Sequence, residues 1–379
     1  MSAIAVAFWT SAALIVHTHV TYPLSLAALA RLRRPGGRNT ASSSEAPCVS
    51  LIIAAHNEEP VIARRVSNAL ESDYPRELFE VIVASDGSED RTAELARTAG
   101  ADLVLDLSRR GKVEAQNAAV EAAKGDVLAF SDANALWKPD ALRLLTAACS
   151  EAEVGYVCGQ LRLTGGEGEN QEGAYWRYEM AVRSLESRLG GVTAGNGAIY
   201  AVRRDSYVAM PSDRSHDLCL PYLAVKSGRR AVYEPAAKAT EPAAPTLGGE
   251  WRRKRRMMNR AWGIVLNDGI LSPRGYSTTY AYEIFSHRAL RYATPFLHLA
   301  ALGTNVALLG ESPVYTVTLA AQVALLAGAA LARVVPVLPF RLCAYYVAVT
   351  ASIAAGLADR IKNGPAKTWE PVEGTRWGV

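Results

Sequence analysis

Three short segments of the 379-residue chain concentrate oxygen-bearing side chains: AAHNEE at 54–59, SDGSED at 85–90 and SDAN at 131–134. Grouped carboxylates and amides can accept from a base N–H or hold a hard divalent cation. Asp132-Ala133-Asn134 is an acid, one spacer and an amide. It reads either as a cation site with one acid exchanged for an amide, or as a turn after a buried strand. A fourth segment, RRGKVEAQNAA at 109–119, puts Arg109, Arg110 and Lys112 at a helix start. Cations there oppose the helix dipole, and an anionic ligand would explain them.

These residues need elements to position them. VSLIIAA (49–55) is a continuous apolar run, as a strand covered on both faces requires. A helix is expected over 58–71, a strand at FEVIVAS (79–85), a helix at DRTAELARTAG, a strand at DLVLD, a helix over 112–123 and a strand at DVLAFSD (126–132). Strands alternating with helices predict an α/β fold with a parallel, doubly wound sheet. Ligands of such sheets bind beyond the carboxyl ends of the strands, and the three acidic segments all lie there. Each has a plainer reading too. Asn57 can cap a helix while Glu58 and Glu59 favour its dipole, and Ser88 or Asp90 can cap the next.

Taken in order, SLIIAAHNEE, VIVASDGSEDRT, GKVEAQNAA and DVLAFSDAN resemble the family-2 glycosyltransferases of the GT-A fold, over about residues 49–265. The apolar flanks are similar to those of its integral-membrane branch, the cellulose-, chitin- and hyaluronan-type synthases. The resemblance implies that Glu58 and Asp86 hold the nucleobase, usually uracil, and that Lys112 lies near the nucleotide or diphosphate. It places Asp132 and Asn134 at the two positions of the family's D-x-D metal site, with Mg or Mn on the diphosphate oxygens.

GVTAGNGAIYAVRR (191–204) contains a Gly195-Asn196-Gly197 turn, which lines the acceptor site in the family and is otherwise an ordinary turn. SDRSHDLCLP (212–221) falls where the family carries an acidic pair. Here the pair is His216-Asp217, so Asp217 is the candidate general base for an inverting displacement, or else an N-cap of a helix over 218–227. WRRKRRMMNRAW (251–262) holds six basic residues in twelve. Arg260 and Trp262 match half of the processive synthases' Q-x-x-R-W, without its Gln. Arg253, Arg256 and Arg260 recur at helical spacing and suit a diphosphate. The same helix would suit anionic lipid.

Composition frames the rest. Residues 1–30 carry no Asp, Glu, Lys or Arg, and from Tyr292 to Ala358 the only ones are Glu311, Arg333 and Arg341. The N-terminal run is long enough to span a bilayer, and RLRR follows it, which favours an anchor over a cleaved signal and a cytosolic central domain. The expected organisation is a span at 1–31, a linker at 32–48 and the catalytic domain at 49–245. Basic interfacial helices at 246–291, two or three spans within 292–358 and a cytosolic tail at 359–379 complete it. Five cysteines without a C-x-x-C pair imply neither a disulfide framework nor zinc. One basic cluster beside an anchor, at net charge +4, argues against nucleic acid.

The activity expected from the resemblance is transfer of a sugar, UDP-linked, to a lipid-linked or glycan acceptor at the cell membrane. A processive synthase that exports its polymer is the alternative. With so few apolar segments per chain it would need a homo-oligomer. A binding protein without turnover is the third reading.

Overall fold

The computed structural model describes residues 2–32, 46–164, 169–243, 247–335 and 337–366. Most of the expected 32–48 linker and of the 359–379 tail lies outside the described residues. The first helix runs through α1 (Ala3–Val16), a π-helical stretch at His17–Thr21 and α2 (Tyr22–Leu32). The central domain follows as β1 (Val49–Ala55), α3 (Ile62–Leu70), β2 (Phe79–Asp86), α4 (Thr92–Thr98), β3 (Leu103–Leu107), α5 (Lys112–Ala122), β4 (Val127–Asp132), β5 (Leu136–Trp137) and α6 (Ala141–Cys149). Then come β6 (Val154–Thr164), α7 (Glu169–Leu189), β7 (Tyr200–Arg203), α8 (His216–Lys226) and β8 (Arg230–Pro242). The chain ends in α9 (Leu247–Asn267), α10 (Thr278–Glu283), a second π-helical stretch at Ile284–Ala289, α11 (Leu290–Ala307), α12 (Pro313–Leu331) and α13 (Leu338–Asn363).

The sheet has eight strands in the order β3-β2-β1-β4-β7-β6-β8-β5. The first four are parallel, as the alternation predicts. The second half departs from a purely parallel sheet, because β7 runs antiparallel to both β4 and β6 and β5 runs antiparallel to β8. Successive side chains in the strands go to opposite faces. Ile52, Ile82, Leu128, Phe130 and Tyr200 pack with α5, α8 and α9. Leu51, Ile53, Val81, Ala129 and Ala201 pack with α3 and α6. Both faces are covered, which explains the unbroken apolar run of β1.

Three helical segments are long and apolar enough to cross a membrane: Ala3–Leu32, Pro313–Leu331 and Leu338–Asn363. Within the 292–358 region, α11 falls outside that set. It packs along α1 and hydrogen-bonds α12 through Asn305 Nδ2 to Thr318 Oγ1 at 3.0 Å. The N-terminal segment is joined to the central domain by an apolar seam of Tyr22, Leu26 and Ala30 against Val182 and Leu189 of α7. A buried polar chain crosses the same seam. Tyr22 donates to Glu186 Oε1 at 2.6 Å, and His287 Nδ1 meets the same carboxylate at 2.5 Å.

The turn before β4 is as tight as the sheet permits. Gly125 N donates to Ser50 Oγ at 2.8 Å, and a Cβ on Gly125 would lie 2.4 Å from Ser50 N. Gly125→Ala should therefore destabilise the protein by about 1–3 kcal/mol through overpacking. Thermal unfolding of the solubilised protein checks this, and an unchanged transition would contradict the register of β1 on β4.

Candidate active site

The loops after β1 and β2 are laced together. Asn57 N donates to Ser88 Oγ at 3.1 Å, Glu89 N to Asn57 Oδ1 at 2.9 Å, and Glu58 N to Thr92 Oγ1 at 2.8 Å. Asn57 sits at φ 51°, a left-handed conformation in which a short amide is among the few tolerated side chains. The helix expected over 58–71 starts only at Ile62, and Asn57 does not cap it. Its side chain is taken by the neighbouring loop instead. Neither Ser88 nor Asp90 is the cap of α4: that position is Arg91, without a side-chain cap, and Asp90 precedes it, accepting Thr92 N at 3.0 Å through Oδ1. Glu58 is buried at the centre of this lacing.

Asp86 is buried at the end of β2. Its carboxylate accepts Arg110 N at 2.7 Å and Gly111 N at 3.0 Å. Gly111 has φ 106°, which a side chain would resist, so the backbone turns there and α5 begins at Lys112. The Lys112 ammonium then pairs with Asp132 Oδ1 at the end of β4. Asp86, placed by the sequence at the nucleobase, thus also sets where Lys112 lies. Asp132 and Asn134 form a turn, with Ala135 N donating to Asp132 O at 3.3 Å, so the turn and the acidic strand end coexist.

The Gly195-Asn196-Gly197 turn spans two neighbourhoods. A Cβ on Gly197 would lie 3.4 Å from Lys112 Nζ and 3.5 Å from Asp132 Oδ2. Gly195 N donates to Asp217 O at 2.7 Å. A Cβ on Gly195 would fall 1.8 Å from the Tyr156 hydroxyl, so only glycine fits. Asn196 is buried between them and its amide serves the backbone. Nδ2 donates to Gly159 O at 2.9 Å, and Oδ1 accepts Ala198 N and Ile199 N. Its side chain shapes the turn.

His216 and Asp217 open α8, whose N-cap residue is Ser215, so Asp217 lies in the first turn and not at the cap. The Asp217 carboxylate takes no hydrogen bond from the described residues, while its backbone holds Gly195. His216 is buried among Phe130, Tyr200 and Tyr207, all edge-on to its ring. Its Nδ1 meets the Tyr200 hydroxyl at 2.8 Å. Burial first, and then the charge of Lys112, lower its pKa from 6.5 to about 3. The residue standing in place of an acid is therefore neutral at physiological pH and built into the aromatic floor.

Helix α9 approaches the site through Arg253 and Arg260. Arg260 lies within electrostatic reach of Asp217 and Asp213, while burial and Arg256 hold it below the usual guanidinium range. It also donates from Nε to Ala366 O at 2.9 Å. Arg256 lines a cleft of about 380 Å³ between α9 and α13, together with Arg252, Arg255 and Asp359. Trp262 is turned away from the sheet edge: its indole N–H donates to Ile353 O at 2.8 Å and its ring packs on Tyr292 and Phe296. The structure therefore gathers Glu58, Asp86, Lys112, Asp132, Gly197 and Asp217 around the sheet edge, with Arg260 beside Asp217, and leaves Arg256 and Trp262 on α13.

Two groups behind the edge escaped sequence reasoning. Arg65 is fully buried under the Asp132 turn, donating to Ser131 Oγ at 3.0 Å and lying over the Trp137 ring. Glu241, on β8, has an enclosed Oε1 without a hydrogen-bond partner among the described residues. Burial first, and then Asp132, push its carboxyl up to about 8. A signal existed for Glu241: it continues the i, i+2 stripe of Ala237 and Ala239, both fully buried, so an acid falls on an interior face.

Among the described residues no group of three His, Cys, Asp or Glu side chains could hold a metal unaided. The donor set suits a magnesium-like ion that keeps few protein ligands and shares the phosphates of its substrate. Asp132 already has a cation, the Lys112 ammonium, against its carboxylate. Asp132, with Asn134 two residues on, would hold such an ion.

Comparison with known proteins bears on the family and the fold. Residues 50–209 match the model of the family described as Glycosyl transferase family 2. An N-acetylglucosaminyltransferase of Rhizobium meliloti is 26% identical over 284 residues, covering 69% of this chain and 62% of that protein. A poly-beta-1,6-N-acetyl-D-glucosamine synthase of Staphylococcus aureus is 25% identical over 58% of this chain and 56% of its own length. The chain thus spans less than two thirds of these curated relatives. Among solved structures, a mannosyltransferase from Pyrobaculum calidifontis in complex with GDP-Man and Mn2+ superposes with a TM-score of 0.72 at 24% identity. That match covers 94% of this chain and 99% of the other, and establishes the GT-A-like fold.

The state of His216 has a consequence for acid stability. A pKa lowered on folding favours the neutral form, so the associated stability is complete above about 6.5 and is lost as pH falls towards about 3. Below pH 6.5 this residue alone should remove up to about 1.4 kcal/mol per pH unit. Denaturant midpoints measured from pH 7 to 4.5 should fall less steeply in His216→Gln than in the parent. Parallel curves would show that His216 is not held neutral.

Proposed function

We propose that this chain, which carries a glycosyl transferase family 2 domain, is a membrane-bound inverting transferase that passes a sugar from a nucleoside-diphosphate donor to a lipid-linked or glycan acceptor. The observation that carries this reading is the 195–197 turn. One end abuts Lys112 and Asp132, and the other is hydrogen-bonded to the backbone of Asp217. A donor whose diphosphate meets Lys112 then presents its sugar along the turn towards Asp217.

Each residue has a part that follows from its surroundings. Glu58 and Asp86 border the nucleoside end, in the two laced loops. Lys112 neutralises diphosphate oxygens, exchanging its contact with Asp132 for one with the donor. Asp132, with Asn134, would hold a divalent cation, which supplies charge stabilisation to the departing nucleoside diphosphate when bound. The Asp217 carboxylate takes the proton of the acceptor hydroxyl as that oxygen bonds to the anomeric carbon. The bond from that carbon to the diphosphate oxygen breaks, and the configuration inverts. Arg260 steadies negative charge beside Asp217.

The N-acetylglucosaminyl names of the curated relatives support an N-acetylhexosamine donor, UDP-linked. Three membrane-length helices, with RLRR after the first, support a multi-pass protein whose sheet edge faces the cytosol. Helix α9, with its arginines on α13, would lie at that surface. The same relatives include a synthase, so the second reading is a processive enzyme. The position of Trp262, committed to α13, favours single addition.

A panel of UDP- and GDP-sugars, scored by nucleoside diphosphate release with membrane acceptors, identifies the donor, and product length on a gel separates single addition from polymer. Asp217→Asn should reduce transfer by about 10²–10⁴-fold, the usual contribution of a positioned base, while nucleoside diphosphate affinity stays unchanged. Full activity in that variant would overturn the assignment of the base.

A further inference from the structure

We propose that Glu241 is a further ligand of the donor-site cation, supplying from β8 the second carboxylate that Asn134 does not offer; this rests on the donor-site reading above. The placement begins with the sheet. Strand β8 pairs with β5 through Leu136↔Thr240 and Trp137↔Ala239. The Thr240 hydroxyl donates to Leu136 O at 3.4 Å. The residue after Thr240 is thus set beside the stretch that leaves Asp132 and passes through Asn134. On its other side β8 pairs with β6, Leu163 opposite Glu241, and the Thr164 hydroxyl donates to Glu241 O at 3.3 Å. The backbone of Glu241 is therefore fixed from both neighbouring strands.

The residue is half-buried, and its Oε1 is enclosed with no hydrogen-bond partner among the described residues. Its charged surroundings are those of the donor site: Asp132 and Glu58 repel it, and Lys112 and Arg253 attract it. Two carboxylates within electrostatic reach of each other are unfavourable together without a cation between them. A buried carboxylate oxygen left unpaired is also unfavourable, and native structures carry such groups where an ion or catalytic role explains them. Lys112 alone cannot serve both acids once a diphosphate claims its ammonium. A divalent ion satisfies Asp132 and Glu241 at once. In this account the exchange of acid for amide at position 134 is compensated in space, from a strand more than a hundred residues later in the chain.

The test uses the solubilised full chain and reads Mn2+ binding by electron paramagnetic resonance, with Mn2+ alone and with UDP or GDP present. Glu241→Gln should weaken Mn2+ binding about tenfold or more, and Glu241→Asp should recover part of it. Asp132→Asn serves as the reference, and unfolding midpoints of all variants are compared with the parent. Parental Mn2+ affinity in Glu241→Gln, alongside a loss in Asp132→Asn, would overturn the role of Glu241 and leave the donor site in place. No Mn2+ binding by the parent with either nucleotide would overturn both.

Discussion

The contact between Lys112 and Asp132 is the joint on which the site depends. Neither residue could reach the other without help. Asp86, at the end of β2, fixes the backbone of Arg110 and Gly111, and the positive φ of Gly111 then starts α5 with the lysine at the sheet edge. Asp132 is delivered by β4, two strands away from β2 in the sheet. A cation is thereby held at the sheet edge, where we propose that the diphosphate binds, by carboxylates on both sides. It resolves the apparent misfit of a lysine at a helix start.

The antiparallel strand β7 performs the second arrangement. Inserted between β4 and β6, it leads the 195–197 turn past the end of β4, and α8 then returns Asp217 to the far end of that turn. Tyr156 and Gly195 meet so closely that no side chain fits at that end of the turn. The aromatic floor of Phe130, Tyr200, Tyr207 and neutral His216 carries both halves. His216 is thus a packing residue with a hydrogen bond, in the position where the family resemblance leads one to expect an acid.

The parallel half of the sheet was legible because its signals are local: apolar runs of strand length, helix periodicity between them, acids at the strand ends. β1 matches its expected bounds residue for residue. What was not legible is set by contacts distant in sequence. The start of α3 slipped four residues because Asn57 bonds to Glu89 and does not cap. The role of Asn196 was hidden because its partner, Gly159, lies on another strand. Trp262 looked like part of a binding motif, yet its indole is claimed by Ile353, in the last helix. The seam of Tyr22, Glu186 and His287 joins three separate regions, so no window of sequence contains it.

These elements converge on one claim: the carboxyl edge of the sheet binds a nucleoside diphosphate and a divalent cation, and Lys112 changes partner when it does. The direct measurement is an experimental structure of the full chain with Mn2+ and the nucleoside diphosphate of its donor. The account predicts diphosphate oxygens against Lys112, with Asp132 released from the ammonium and turned to the metal. A structure with the Lys112–Asp132 pair intact and the nucleotide bound away from the 195–197 turn would contradict it.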